Sequence, residues 1–232
     1  MRRAHPLPPP RPRASAVPWS LVPLLLLAVR PAAAQFGIDR QELASWSRTG
    51  ALLQPRRWSG SAWLDTQLRT VPSGPGFQAV VWRAGANLPI ANGTFLQPEV
   101  QFLDQPRGST QWNLSLGALR RAQAGRVTLT GRARLDLLRR AGDEGVGEWR
   151  TRWQAQAIVP LRGALSLVVS QEAFISLEGN GWNQNRFQFL SRWRLGAVQL
   201  EAGYQHRLLR ARPGQPDLAE HTALLATAWV IR

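Results

Sequence analysis

The sequence predicts an all-β protein, an antiparallel up-and-down transmembrane β-barrel of about ten strands. Three observations predict it. Segments of about ten residues alternate apolar and polar side chains with period two. Gly-, Pro-, Asn- and Asp-bearing connections bound them, short and long in turn, as the turns and loops of a membrane barrel do. An export signal stands in front of the first segment.

That signal is the first element. Arg2, Arg3, Arg11 and Arg13 precede an apolar run over residues 21–29, and Ala32-Ala33-Ala34 ends in a small-x-small pattern before Gln35. A run of this length is too short to span a bilayer, so residues 1–34 are predicted to be a signal peptide cleaved near Ala34. Residues 35–57 are expected to form an N-terminal segment, periplasmic or lying in the lumen, and residues 58–232 the barrel. The stretch 45–53 is an eleventh strand candidate that would break the even count. Two strands within 36–53 would make twelve.

The strands are then expected at 58–70, 77–87, 94–104, 109–119, 126–138, 148–159, 164–174, 184–195, 197–208 and 220–230. The pattern is plainest in 126–138, where Val127, Leu129, Gly131, Ala133, Leu135 and Leu137 share one face and Thr128, Thr130, Arg132, Arg134 and Asp136 the other. Trp149, Trp153 and Val159 oppose Glu148, Arg150 and Arg152 in the same way, and Phe187, Phe189, Trp193 and Leu195 oppose Arg186, Arg192 and Arg194. Apolar residues three and four apart, which a helix needs, do not recur. Connections at 160–163 and 196 read as tight turns, whereas 139–147, 176–183 and 209–219 are long and polar. Counting back from a C-terminus in the periplasm, ten strands put the long loops outside the cell.

Alternation alone fits a soluble barrel with an apolar interior as well as an outer-membrane barrel with a polar lumen. Three features lean to the membrane. The signal implies export. The charged faces neutralise each other only if they converge in an enclosed space. Trp58, Trp82, Trp112, Trp149, Trp182, Trp193 and Trp229 mostly fall near strand ends, where an aromatic girdle lies.

Composition narrows the chemistry. All 29 basic residues are arginine, and the formal charge is +15; without residues 1–34 it is +10, from 24 arginines and 14 acids. Export and the scattered placement of the arginines argue against a nucleic-acid partner. The absence of cysteine excludes disulfides, thiolate nucleophiles and cysteine-held metal, and three histidines are too few for a histidine-rich site. No cofactor or metal is expected.

The stretch from Thr128 onward carries Gly131-Arg132-Ala133-Arg134-Leu135-Asp136, Trp149-Arg150-Thr151-Arg152, Gln171-Glu172-Ala173-Phe174, Asn183-Gln184-Asn185-Arg186, Gly203-Tyr204 and His221. These motifs resemble an uncharacterised bacterial family, domain of unknown function 2490; the first half of the mature chain resembles it more loosely. The resemblance implies a small outer-membrane β-barrel and no assigned activity. The chain ends Trp229-Val230-Ile231-Arg232, where outer-membrane barrels commonly end in an aromatic residue.

The expected site is a lumen charge network: Arg132, Arg134, Asp136, Glu148, Arg150, Arg152, Glu172, Arg186, Arg192, Arg194 and Glu201. Its plain role is structural, because buried charges must be paired; its alternative role is to line an anion-selective path. Barrels of this size leave at best a narrow passage. A hydrolase would need a serine, a histidine and an acid together, and Ser170, His221 and Glu172 are the conceivable set. Gly179-Asn180-Gly181 lacks the third glycine and the context of a nucleotide loop. The expected protein is therefore non-enzymatic, with outer-membrane lipid around it and periplasmic chaperones and the barrel-assembly machinery as partners in biogenesis. A narrow anion channel, a lipid-modifying enzyme and a soluble periplasmic binder are the alternatives.

Overall fold

The computed structural model describes residues 38–71, 76–105, 110–142, 147–178, 181–210 and 217–232. The expected signal peptide and the loop residues Gly179 and Asn180 lie outside the described residues.

Eleven strands close into one barrel: β1 (Ile38–Leu53), β2 (Ser61–Val71), β3 (Gly76–Ala91), β4 (Thr94–Asp104), β5 (Gln111–Ala124), β6 (Val127–Arg140), β7 (Glu148–Pro160), β8 (Leu165–Ser176), β9 (Gly181–Leu195), β10 (Val198–Leu209) and β11 (Asp217–Ile231). Each strand pairs antiparallel with the next in the chain, and β1 closes the ring by pairing parallel with β11. The described residues include no helix. The all-β barrel is as the alternation predicts, and eleven strands fall between the ten expected and the alternative of twelve.

The first segment differs from expectation. Instead of a periplasmic piece, a lumenal plug or two short strands, residues 38–53 form one long wall strand, so the barrel begins before residue 58. The alternation there is muted: Leu43 faces outward beside Ser45, Ser47 and Thr49, while Ala44 and Trp46 are buried. A face of small hydroxyls does not read as apolar, although it sits in a sheet without difficulty. The even-count argument fails because parallel closure admits an odd number of strands. The entrance of β1 consequently lies at the same end as the entrance of β11, opposite the C-terminal residue.

At the end where β11 finishes, residues 92–93, 125–126, 161–164 and 196–197 make connections of two to four residues, and residues 54–60 join β1 to β2 with seven. Gly125 and Gly196, each the first of a two-residue connection, have φ of 60° and 61°, which only glycine adopts without strain at the first position of a type II′ hairpin turn. At the other end six or seven residues separate β4 from β5, β6 from β7 and β10 from β11, and four separate β2 from β3 and β8 from β9. The long loop expected over 176–183 is shorter than the sequence suggests, because β8 and β9 extend into it.

The side chains are sorted inside out. In β6 Leu135 is 41% exposed, whereas its neighbours Arg134 and Asp136 are 3% and 0% exposed. In β5 Trp112, Leu114 and Leu116 face outward and exposed, and Asn113 and Ser115 face inward and buried. Trp82, Trp149, Trp153, Phe187, Phe189, Leu225 and Trp229 continue the apolar exterior.

Candidate functional site

The lumen is crossed by rows of charge that the sheet register aligns. One row runs Arg132, Gln154, Glu172, Arg186, Arg207, Glu220 over β6 to β11, each residue the direct partner of the next. A second runs Glu99, Ser115, Asp136, Arg150 over β4 to β7. Directly opposite like charges repel, as Arg134 and Arg152 do in their register pair, so acids must stand between them.

Asp136 is that acid. Its carboxylate meets Arg134 Nε at 2.8 Å, Arg150 Nε at 2.9 Å and Arg152 Nη2 at 2.7 Å. Arg134 also reaches Glu99 at 2.8 Å across β5, where Gly117 leaves room for the arginine stem: a Cβ there would lie 3.1 Å from Arg134 Cβ and Cγ. Glu172 is the second hub, 3.0 Å from Arg132, 3.5 Å from Arg186 and 3.6 Å from Arg152. Glu201 binds Arg192 at 2.7 Å and Arg48 at 2.8 Å. Arg48, Ala226 and Glu201 share one register row, and the small alanine lets the arginine pass over β11. Arg83 grips Asp65 with two hydrogen bonds of 2.9 Å, and Arg207 pairs with Glu220, which also accepts from Thr222 at 2.8 Å.

Two aromatic rings join this network from the inside. Phe174 is fully buried, with the guanidinium carbons of Arg152, Arg186 and Arg150 at 4.5, 4.6 and 5.0 Å from its centre. Trp46 carries Arg69 at 4.3 Å, Arg207 at 5.4 Å and Arg186 at 5.6 Å. In such cation–π contacts the negative face of the ring attracts the clustered guanidiniums.

Of the residues expected in the network, Arg132, Arg134, Asp136, Arg150, Arg152, Glu172, Arg186, Arg192 and Glu201 meet in these ion pairs. Glu148 and Arg194 make none among the described residues; each sits near a strand terminus, and Arg194 is exposed. Arg48, Asp65, Arg69, Arg83, Glu99, Arg207 and Glu220 belong to the network and are absent from the expected set. The period-two spacing of Asp65, Gln67 and Arg69 was the available signal for the β2 members. Nothing local in the sequence marks Trp46 or Phe174 as lumenal aromatics, apart from Phe174 sharing the parity of Ser170 and Glu172.

The conceivable hydrolase set is not assembled. Ser170 and Glu172 face the lumen, where Ser170 donates to Gln188 Oε1 at 3.1 Å. His221 lies on the outer face: its Nδ1 is 2.6 Å from Tyr204 Oη, and its ring stacks on His206 at 5.0 Å. The barrel wall stands between them. Among the described residues, no three His, Asp or Glu side chains gather as ligands for a metal.

A closed β-barrel with a charged lumen and an apolar outer wall is the class of protein that fold and site define. Within it, the chain belongs to the family described as Protein of unknown function (DUF2490), whose model matches residues 49–217, from within β1 to the first residue of β11. No curated protein and no solved structure matches the chain.

Proposed function

We propose that this protein is an integral outer-membrane β-barrel of a Gram-negative bacterium, non-enzymatic, whose lumen is braced by arginine–carboxylate pairs. The observation that carries the reading is the inverted polarity: Leu114, Leu116, Trp153, Leu225 and Trp229 are each more than half exposed, while Asp136, Arg134, Glu172 and Glu220 are buried. In water that arrangement is costly twice, once for the bare apolar wall and once for the buried charge. In lipid the wall is at no disadvantage, and a closed barrel leaves no unpaired strand edge. The outward tryptophans Trp82, Trp112 and Trp149 toward one end and Trp229 at the other have the disposition of interfacial girdles. Lipid is then the main partner, and export, chaperone escort and insertion by the assembly machinery precede it. Outer-membrane fractionation with a gel assay for heat-modifiable migration tests the proposal, and N-terminal sequencing of the isolated protein tests cleavage near Ala34. A chain recovered from the soluble periplasm contradicts it.

A second reading, a narrow anion-permeable channel, is favoured by one observation. Among the described residues the inward arginines Arg48, Arg69, Arg83, Arg132, Arg134, Arg150, Arg152, Arg186, Arg192 and Arg207 outnumber the acids Asp65, Glu99, Asp136, Glu172, Glu201 and Glu220 that oppose them. Planar-bilayer recording tests it: anion-selective conductance supports the channel, and silence or cation selectivity removes it.

A further inference from the structure

We infer that the lumen holds a binding site for a small phosphate-type oxyanion between Arg69, Arg186 and Arg207, against the face of Trp46. The register builds the site. Arg69 on β2 is the direct partner of Trp46 on β1, and Arg186 and Arg207 are direct partners on β9 and β10. Their three guanidiniums share the one indole ring, with carbons 4.3 to 5.6 Å from its centre.

The carboxylates in contact do not balance these cations. Glu220 serves Arg207. Glu172 lies 3.5 Å from Arg186 and is already divided with Arg132 and Arg152. Among the described residues Arg69 pairs with no carboxylate, and its side-chain hydrogen bond runs to Gln67 Oε1 at 3.3 Å. The Nε groups of Arg69 and Arg207 are buried without a hydrogen-bond acceptor. A ring face offsets charge and offers no in-plane acceptor to an N–H, so donors of this kind are left for a ligand. An uncompensated cation in an enclosed space is costly, and an anion that enters removes the cost.

The chemistry selects the ligand. Guanidinium forks match two oxygens of an oxyanion, and phosphate carries enough charge to compensate more than one guanidinium; chloride offers a single point. The inference rests on the closed barrel and not on residence in a membrane, since a soluble barrel with this lumen would carry the same site.

The test uses the full mature chain refolded in detergent and titrated with inorganic phosphate at constant ionic strength, against chloride. Tryptophan fluorescence and calorimetry read the binding. Saturable binding is expected for phosphate, weakened about tenfold or more in Arg69→Gln, as loss of a charge-assisted contact implies. Arg120→Gln, an exposed arginine bonded to Asn92 O and Thr94 Oγ1, should bind as the parent does. Should Arg69→Gln fail to fold, the parent alone decides: the rise of its unfolding midpoint with phosphate must follow a saturable binding curve, whereas a general salt effect grows without saturating. Equal behaviour in the two salts, or equal phosphate binding in Arg69→Gln and the parent, overturns the inference. Neither result bears on heat-modifiable migration or on fractionation, so the membrane reading stands or falls separately.

Discussion

Around Asp136 each of three guanidiniums lies within 2.9 Å of carboxylate oxygen, and one of them, that of Arg134, has Glu99 on its far side. Around Trp46 three guanidiniums share one ring, and one of them, that of Arg69, has a glutamine in place of an acid. The two neighbourhoods use the same residue types in the same sheet geometry and touch through Arg186, which lies over both Phe174 and Trp46. They differ in balance. A balanced cluster offsets each cation with a nearby carboxylate and holds strands together, whereas an unbalanced one costs stability and leaves positive charge for an anion to offset. Lumenal arginine is thus two things in one barrel, bracing where acids are interleaved and receptive where they are missing.

The largest effect that sharpens the contrast is expected from Asp136→Asn. It leaves Arg134, Arg150 and Arg152 facing one another, and breaking a buried pair of this kind costs about 3–5 kcal/mol. Denaturant unfolding in detergent, followed by loss of the compact gel band, should show the midpoint fall accordingly; a midpoint within error of the parent would mean that the cluster is not bracing. Next in size is a change on the other side of the same wall. Leu116→Arg, outward on β5 midway between the girdle residue Trp112 and the exposed Arg120, should cost about 2–4 kcal/mol in lipid vesicles, as a charge near the bilayer midplane does. In a water-facing wall the same change would be nearly neutral. The smallest effect is expected from Arg69→Gln, which removes a cation that no acid among the described residues holds and should leave stability within about 1 kcal/mol of the parent. A loss as large as that of Asp136→Asn would erase the distinction between the two neighbourhoods.

Sequence patterning revealed the barrel because its faces differ so sharply. In β6 and β7 arginine alternates with leucine or tryptophan, so period two is visible from any window, and nine of the expected network residues meet as ion pairs. The pattern weakens where residues are small or polar on both sides, as in β1, where Ser45, Ser47 and Thr49 face outward and mask a wall strand. Closure by a parallel β1–β11 seam is a long-range property: no local feature of residues 38–53 announces that their partner lies at 217–231. The same limit explains the missed site members. Arg69, Arg186 and Arg207 are far apart in the chain and are joined only by register around Trp46. Ser170, His221 and Glu172 show the reverse error, since parity along separate strands does not say which face of the barrel each strand turns inward.

The central claim is that the outer wall of the barrel is apolar and that its charge is gathered in the lumen. The chain has no cysteine, so single cysteines can be placed one at a time from Asn113 to Leu119 on β5 without competing labels. Spin labels at these positions in lipid vesicles should show an oxygen accessibility that alternates with period two. High values are expected at 114, 116 and 118, in contact with lipid, and low values at 113, 115, 117 and 119, packed in the lumen. The opposite phase, or labels at 114 and 116 open to a water-soluble relaxation agent, would contradict the account.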